Sequence, residues 1–242
     1  MSKGAIYRDH GIVLRTYKLG EADRIVVFVT QGRGKVRAVA KGVRKTRSKF
    51  GSRLEPTSHV ALQLYEGREL DIVTQADSLD HFRAIREDLD RYSRAMSMLE
   101  AVDQMAQERE DNPRLYGMLL GALRALAAQD SPLVVGAFYW KLLTQEGFGP
   151  FLDACVSCGE PDAELVAFDL HEGGTLCHSC RSGAPLSADA LDLMRRILGG
   201  QLGAALNEPP SPATHEVEQL ATRAMEHHLE RRLRSVGVIE RA

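Results

Sequence analysis

Arg24-Ile25-Val26-Val27-Phe28-Val29-Thr30-Gln31-Gly32-Arg33-Gly34-Lys35-Val36-Arg37-Ala38-Val39-Ala40-Lys41 decides the fold of the first third of this 242-residue chain. A β-branched run meets a turn with two glycines, and a second alternating run leaves it, which predicts a tight hairpin. In the second run Val36, Ala38 and Ala40 share one face, while Lys35, Arg37 and Lys41 share the other. That period of two turns a basic composition into a basic surface. Upstream, residues 12–18 predict a first strand. Downstream, residues 59–65 predict a fourth with Val60, Leu62 and Leu64 inward, and residues 69–76 a fifth after the Gly67 turn. Five short strands within residues 1–80 predict a small all-β barrel of the OB type, which closes its edges and binds nucleic acid on its face. A five-stranded SH3-like barrel would give much the same pattern.

The charge distribution agrees with a polyanion partner. The net charge of −2 conceals 15 Lys/Arg against 9 Asp/Glu in residues 1–80, and the reverse excess in residues 81–242. Arg33, Lys35, Arg37, Lys41, Arg44, Lys45, Arg47, Lys49 and Arg53 follow one another with no acid between Gly32 and Leu54. Nine like charges in 21 residues repel unless a counter-charge is supplied, and nucleic-acid phosphate is the usual one. A solvated basic loop is the alternative. Residues 42–52 have no period and read as a mobile loop, in which Phe50 either stacks on a base or pins the loop to the barrel. Tyr17 and Tyr65 are open in the same way.

After residue 80 the period becomes helical. Phe82, Ile85, Leu89, Tyr92, Met96, Leu99, Val102 and Met105 mark one long helix. Asn112-Pro113 and Ser131-Pro132 start two more, Ser187 caps a fourth, and a last helix runs over residues 214–234. The expected organisation is a barrel domain over residues 1–80, then a helical domain over 81–242 with an insert at about 150–184.

That insert holds all four cysteines, as Cys155-x2-Cys158-x18-Cys177-x2-Cys180, the spacing of a tetrahedral zinc site. Two disulfides are the rival, but a disulfide scaffold is normally short, cysteine-dense and secreted. This chain opens on Met1-Ser2-Lys3-Gly4 without an apolar signal region, which points to the cytoplasm. A four-cysteine iron centre has the same spacing, and His178 could replace one sulfur. Four protein ligands close the shell, so the zinc is expected to be structural.

Catalytic signatures are missing. His171-Glu172-Gly173-Gly174-Thr175 and His215-Glu216-Val217-Glu218-Gln219 both fail His-Glu-x-x-His, and Gly32-Arg33-Gly34-Lys35-Val36 is not a phosphate-binding loop. The chain is expected to bind rather than catalyse, and no apolar run reaches the ~18 residues of a membrane span.

Several stretches together resemble a known family. Gly11-Ile12-Val13-Leu14-Arg15-Thr16, Gly20-Glu21-Ala22-Asp23-Arg24-Ile25, Gly34-Lys35-Val36-Arg37-Ala38-Val39-Ala40-Lys41-Gly42 and Leu64-Tyr65-Glu66-Gly67-Arg68-Glu69-Leu70 are similar to the RecO family of bacterial recombination mediators, as is the four-cysteine insert. The resemblance implies an OB-fold that binds single- and double-stranded DNA, and annealing of complementary strands without ATP. It also implies work with RecR, and in some lineages RecF, to load the RecA recombinase onto DNA coated by single-strand-binding protein, whose acidic tail is a partner. The matching DNA-contacting positions are Lys35, Arg37, Lys41 and the loop from Arg44 to Lys49, and the protein is expected at the nucleoid. A zinc-stabilised scaffold whose basic loop contacts RNA or an acidic protein remains the other reading.

Overall fold

Five strands close on themselves in the order β1-β2-β3-β5-β4. They are β1 (Ile6–Leu19), β2 (Asp23–Thr30), β3 (Gly34–Ala40), β4 (His59–Tyr65) and β5 (Asp71–Asp80). The coordinates are a computed structural model that describes residues 5–233. The chain's first four residues, and the expected end of the last helix at Arg234, lie outside the described residues. β1 is long enough to serve two neighbours: Ile6 to Ile12 pair with β4, and Gly11 to Leu19 with β2. Every pairing is antiparallel except the closing seam, where β3 and β5 run parallel and meet only at Ala38–Asp71 and Val39–Ile72.

Inside the barrel Val36, Ala38, Ala40, Val60, Leu62 and Leu64 are buried, which is the inward set that the alternation predicts, and Val26 and Phe28 of β2 lie among them. Phe50 and Leu54 join them at 1 % exposure. The segment between β3 and β4 is therefore not the free loop its composition suggests. Phe50 packs into the barrel core, residues Gly51–Leu54 form a 3-10 turn, and the Lys49 ammonium donates to the Thr74 carbonyl at 2.8 Å.

Beyond the two-residue seam, β3 has a free edge. Residues 108–110 fill it: Lys35 bridges Glu108 in parallel register, and the Arg109 amide donates to the Lys35 carbonyl at 2.9 Å. Gly34 makes this approach possible. It sits at φ +60°, and a Cβ there would fall 1.7 Å from the Glu110 carbonyl oxygen.

The helical stripe that begins at Phe82 is two helices, α1 (Arg83–Arg86) and α2 (Leu89–Met105), rather than one. Asp88 makes the break, because its carboxylate accepts from the amides of Asp90 and Arg91 at 2.9 and 3.0 Å and caps α2. Asn112 caps α3 (Pro113–Ala128) in the same manner, accepting from the Leu115 amide at 2.9 Å. Both α2 and α3 pack against β1. On α3, Tyr116 meets the buried His59 of β4, hydroxyl to Nε2, at 2.6 Å.

The chain divides into two compact units after Ala128. The second, Gln129–Leu233, contains α4 (Val134–Gln145), β6 (Leu165–Asp169), β7 (Gly174–Cys177), β8 (Ala184–Pro185), α5 (Ala188–Leu198), α6 (Leu202–Ala205) and α7 (Pro212–His228). α4 and α5 both lie on α7. Ser187 caps α5, as its position predicts, and Ser211 with Thr214 forms a capping box on α7. The cysteine insert carries a three-stranded sheet in the order β7-β6-β8, which cysteine spacing could not reveal. Phe168 of β6 meets Trp140 of α4 edge to face at 5.7 Å and seats the sheet on the helix. No helix among the described residues is long and apolar enough to cross a membrane.

Gly34→Ala should destabilise the protein by at least about 2 kcal/mol, combining left-handed strain with the displaced edge segment. Urea unfolding checks this, and a loss below about 0.5 kcal/mol would contradict the packing. Burial, with the Arg124 guanidinium and His10 nearby, holds the His59 imidazole below its ordinary 6.5. Between that lowered value and 6.5 the unfolded chain binds a proton that the folded chain refuses. The contribution is therefore complete above pH 6.5 and lost as pH falls below it. His59→Gln should flatten this part of the pH profile of the urea midpoint.

Candidate nucleic-acid interface and metal centre

A β-bulge builds the outer face of the barrel. The β1–β2 register shifts between Val13 and Arg15. Val13 opposes the inward Phe28, and after the shift Arg15 opposes the outward Val27. Simple alternation from Val13 would send Arg15 into the core. The extra residue turns Arg15 and Tyr17 outward instead, a common use of a bulge. Two rows then cross the sheet, Arg15–Val27–Arg37 and Tyr17–Ile25–Val39. The Arg15 guanidinium also lies over the Tyr17 ring, 4.8 Å from its centroid.

The nine basic residues that the sequence singles out divide into two groups. Lys41, Lys45 and Arg47 are exposed, with no ion pair among the described residues. The other six are tied down. Arg33 lies over the Tyr7 ring at 3.9 Å and 3.5 Å from Glu66. The Lys35 ammonium donates to the Asp103 carbonyl at 2.7 Å, and Arg37 is 3.4 Å from Glu108. Arg44 donates to the carbonyls of Gly20 and Glu21, Lys49 to Thr74, and Arg53 to the Lys49 carbonyl. Of the three open aromatics, Phe50 is the anchor in the barrel, whereas Tyr17 and Tyr65 are 41 and 37 % exposed.

Two features lie outside that sequence-based set. Arg15 joins the face only because of the bulge, which alternation does not show. The second is the pair of acids from the helical side. Asp103 of α2 is buried and sits 2.7 Å from the Arg15 Nε, and Glu108 faces Arg37. In the sequence Glu108 reads as part of a solvated acidic cluster with Glu110 and Asp111 at a helix end, and nothing local places either acid on this face. Asp71, at the seam, is 1 % exposed and accepts from the Tyr7 hydroxyl, the Gly67 amide and, at 2.9 Å, Arg109. Burial and that carboxylate push the Tyr7 phenol well up from its ordinary value.

In the second unit the four cysteine sulfurs all lie within 4.8 Å of one another, and none is in a disulfide. Cys158 and Cys177 Sγ are 3.9 Å apart. A tetrahedron with metal–sulfur bonds of about 2.3 Å requires sulfurs about 3.8 Å apart, so the set fits one tetrahedral metal ion. Two tight turns deliver the sulfurs: the Gly159 amide donates to the Cys155 carbonyl at 2.8 Å, and Cys180 to Cys177 at 3.2 Å. The Cys158 and Cys177 amides donate to the Cys155 sulfur and lower its thiol to about 6, favouring the thiolate that a metal needs. His178 points elsewhere, with its ring 3.3 Å from Glu164. Arg195 of α5 donates to the Leu152 carbonyl at 2.6 Å and fixes the start of the insert.

A closed five-stranded barrel with a basic outer face, followed by helices and a four-cysteine cluster that fits one metal ion, defines an OB-type protein with a candidate metal knuckle. Comparison with known proteins makes this specific. Residues 1–82 match the family model described as Recombination protein O N terminal, and residues 86–236 match Recombination protein O C terminal. The chain is 44 % identical over 243 aligned positions to the DNA repair protein RecO of Frankia casuarinae, covering 98 % of this chain and 99 % of that one. The chain belongs to the RecO family of DNA repair proteins.

Cys155→Ser with Cys158→Ser should remove the metal and lower the stability of the second unit by about 3 kcal/mol or more. Calorimetry with metal analysis checks this. Unchanged thermal stability together with lost DNA binding would contradict a structural centre.

Proposed function

We propose that this protein is a recombination mediator that binds single- and double-stranded DNA, anneals complementary strands without ATP, and helps load RecA onto DNA coated by single-strand-binding protein. RecR, the acidic tail of single-strand-binding protein and, in lineages that use it, RecF are its partners, and its place is the nucleoid. DNA binding belongs to residues 1–80, and residues 81–242 form the helical part with its finger at about 150–184. The finger holds one zinc ion, whose chemistry is to neutralise and cross-link four thiolates. Four protein sulfurs would close its shell, so the ion would serve the fold and not a reaction.

One observation carries this reading. Lys41, Lys45 and Arg47 are exposed on the anchored segment that follows β3, the strand that carries Arg37 on the barrel's outer face. Phe50 fixes the base of that segment, so its charges reach solvent from a defined place. Two DNA strands repel each other, and a cationic surface lowers the barrier to pairing by screening phosphate and releasing counterions. Phosphate contacts are indifferent to sequence, as general repair requires.

The tied residues refine the choice of test. Lys35→Glu would place a carboxylate beside the buried Asp103 and disturb the fold, so it is a poor probe of DNA contact. Lys41→Glu, Lys45→Glu and Arg47→Glu together should leave the unfolding transition unchanged. They should flatten the log–log salt dependence of single-strand binding by about 2, at roughly 0.7 per contact, and slow ATP-free annealing. An unchanged slope places the DNA surface elsewhere. Annealing no faster than without protein contradicts the mediator reading.

A further inference from the structure

A cavity of about 450 Å³ opens on the outer face of β1, β2 and β3, a volume within the range of small-ligand sites. Its walls are chemically unlike one another. Ile25 and Val27 form an apolar floor, Tyr17 is a half-exposed ring at one side, and Arg15 and Arg37 supply positive charge. The rim contributed by the segment after α2 is acidic. Glu108 has a side chain 51 % exposed, and a single oxygen engages Arg37 at 3.4 Å. A carboxylate is out of place on a surface that exists only to hold phosphate. Lys35 and Asp103 also line the cavity, but the buried Asp103 is taken up by Arg15 and Lys35, which leaves Glu108 as its exposed carboxylate. A ring to stack on, a dry floor, two guanidinium groups and one exposed acceptor-only group together suit a base joined to its phosphate.

We propose that this cavity is a nucleobase subsite in which Glu108 accepts a hydrogen bond from an exocyclic amino group, so that single strands rich in cytosine bind more tightly than those rich in uracil or thymine. The inference rests on the DNA-binding reading above and adds selectivity to it. Tyr17 stacks on the base, which every base permits. Arg15 and Arg37 hold the adjoining phosphate. Glu108 makes the distinction: a carboxylate accepts from the cytosine 4-amino group, but meets the lone pairs of a 4-keto oxygen with repulsion. The Arg37 guanidinium offsets the repulsion between Glu108 and the DNA backbone. The phosphate contacts of the exposed loop stay indifferent to sequence, so the selectivity is a modest addition to general binding.

The experiment compares homopolymeric deoxycytidine and deoxyuridine strands of equal length, which differ at the base only by amino against keto at position 4 and the adjoining ring nitrogen. Binding is followed by fluorescence anisotropy at slightly alkaline pH, where cytosine strands stay unprotonated and unpaired. The wild-type protein should bind the cytosine strand about fivefold more tightly. In Glu108→Gln the ratio should fall to about one, because an amide offers both a donor and an acceptor. Tyr17→Ala should weaken both strands by about tenfold and keep the ratio. Equal wild-type affinities, or a ratio that survives Glu108→Gln, would overturn the proposal. If Glu108→Gln binds both strands more tightly from an unselective start, Glu108 is a competitor of phosphate and not a reader of bases. A wild-type protein that binds neither strand overturns the DNA reading itself, and this inference with it.

Discussion

The parallel seam between β3 and β5, two residue pairs long, is the constraint on which the rest of the first unit depends. A barrel closed by so few pairs leaves β3 with open backbone groups, and exposed edges of that kind invite unwanted pairing. The chain after α2 fills the opening, so the helical part of this unit completes the β-structure. Asp71 holds the joint. Its buried carboxylate is surrounded by donors from β1, from the β4–β5 turn and from Arg109. Removing one partner from such a buried charge costs several kcal/mol, so the seam, the turn and the segment after α2 stand or fall together.

That arrangement reaches the proposed binding face directly. Arg109 brings Glu108 to Arg37, and Arg33 lies on the same Tyr7 whose hydroxyl binds Asp71. The charges of β3 are thereby positioned by the fold. Half-exposed pairs such as Arg37–Glu108 contribute at most about 1 kcal/mol. Phosphate can therefore replace the carboxylate at little cost, and the geometry that held the arginine remains. Lys35 differs, because its ammonium is bound against α2. The free charges at Lys41, Lys45 and Arg47 supply what the tied ones do not: cations that owe nothing to an internal partner.

The period-two runs made the barrel legible in advance, because a half-buried strand must alternate. The inward set Val36, Ala38, Ala40, Val60, Leu62 and Leu64 is buried as those runs require. Cysteine spacing likewise foretold the sulfur cluster, since short pairs constrain where the sulfurs can be. What escaped the sequence were events that local pattern does not encode. One bulge reversed the side of Arg15 and Tyr17. An Asp88 cap broke an unbroken apolar stripe into α1 and α2. Phe50 is different: anchoring in the barrel was one of the two readings its sequence left open, and the fold decides between them. The acids on the binding face lie some seventy residues from the strand they meet, a distance that only the folded chain spans. The sheet within the finger was invisible for another reason: four cysteines dominate the reading of residues that also form short strands.

Hydrogen–deuterium exchange with and without single-stranded DNA tests the central claim most directly, because it locates the contact without altering a residue. New protection should fall on residues 33–54 and on the bulged part of β1 around Arg15 and Tyr17, while residues 152–181 of the finger exchange as before. Protection confined to residues 129–233, with β3 and the segment after it unchanged, would contradict the assignment of DNA binding to the barrel.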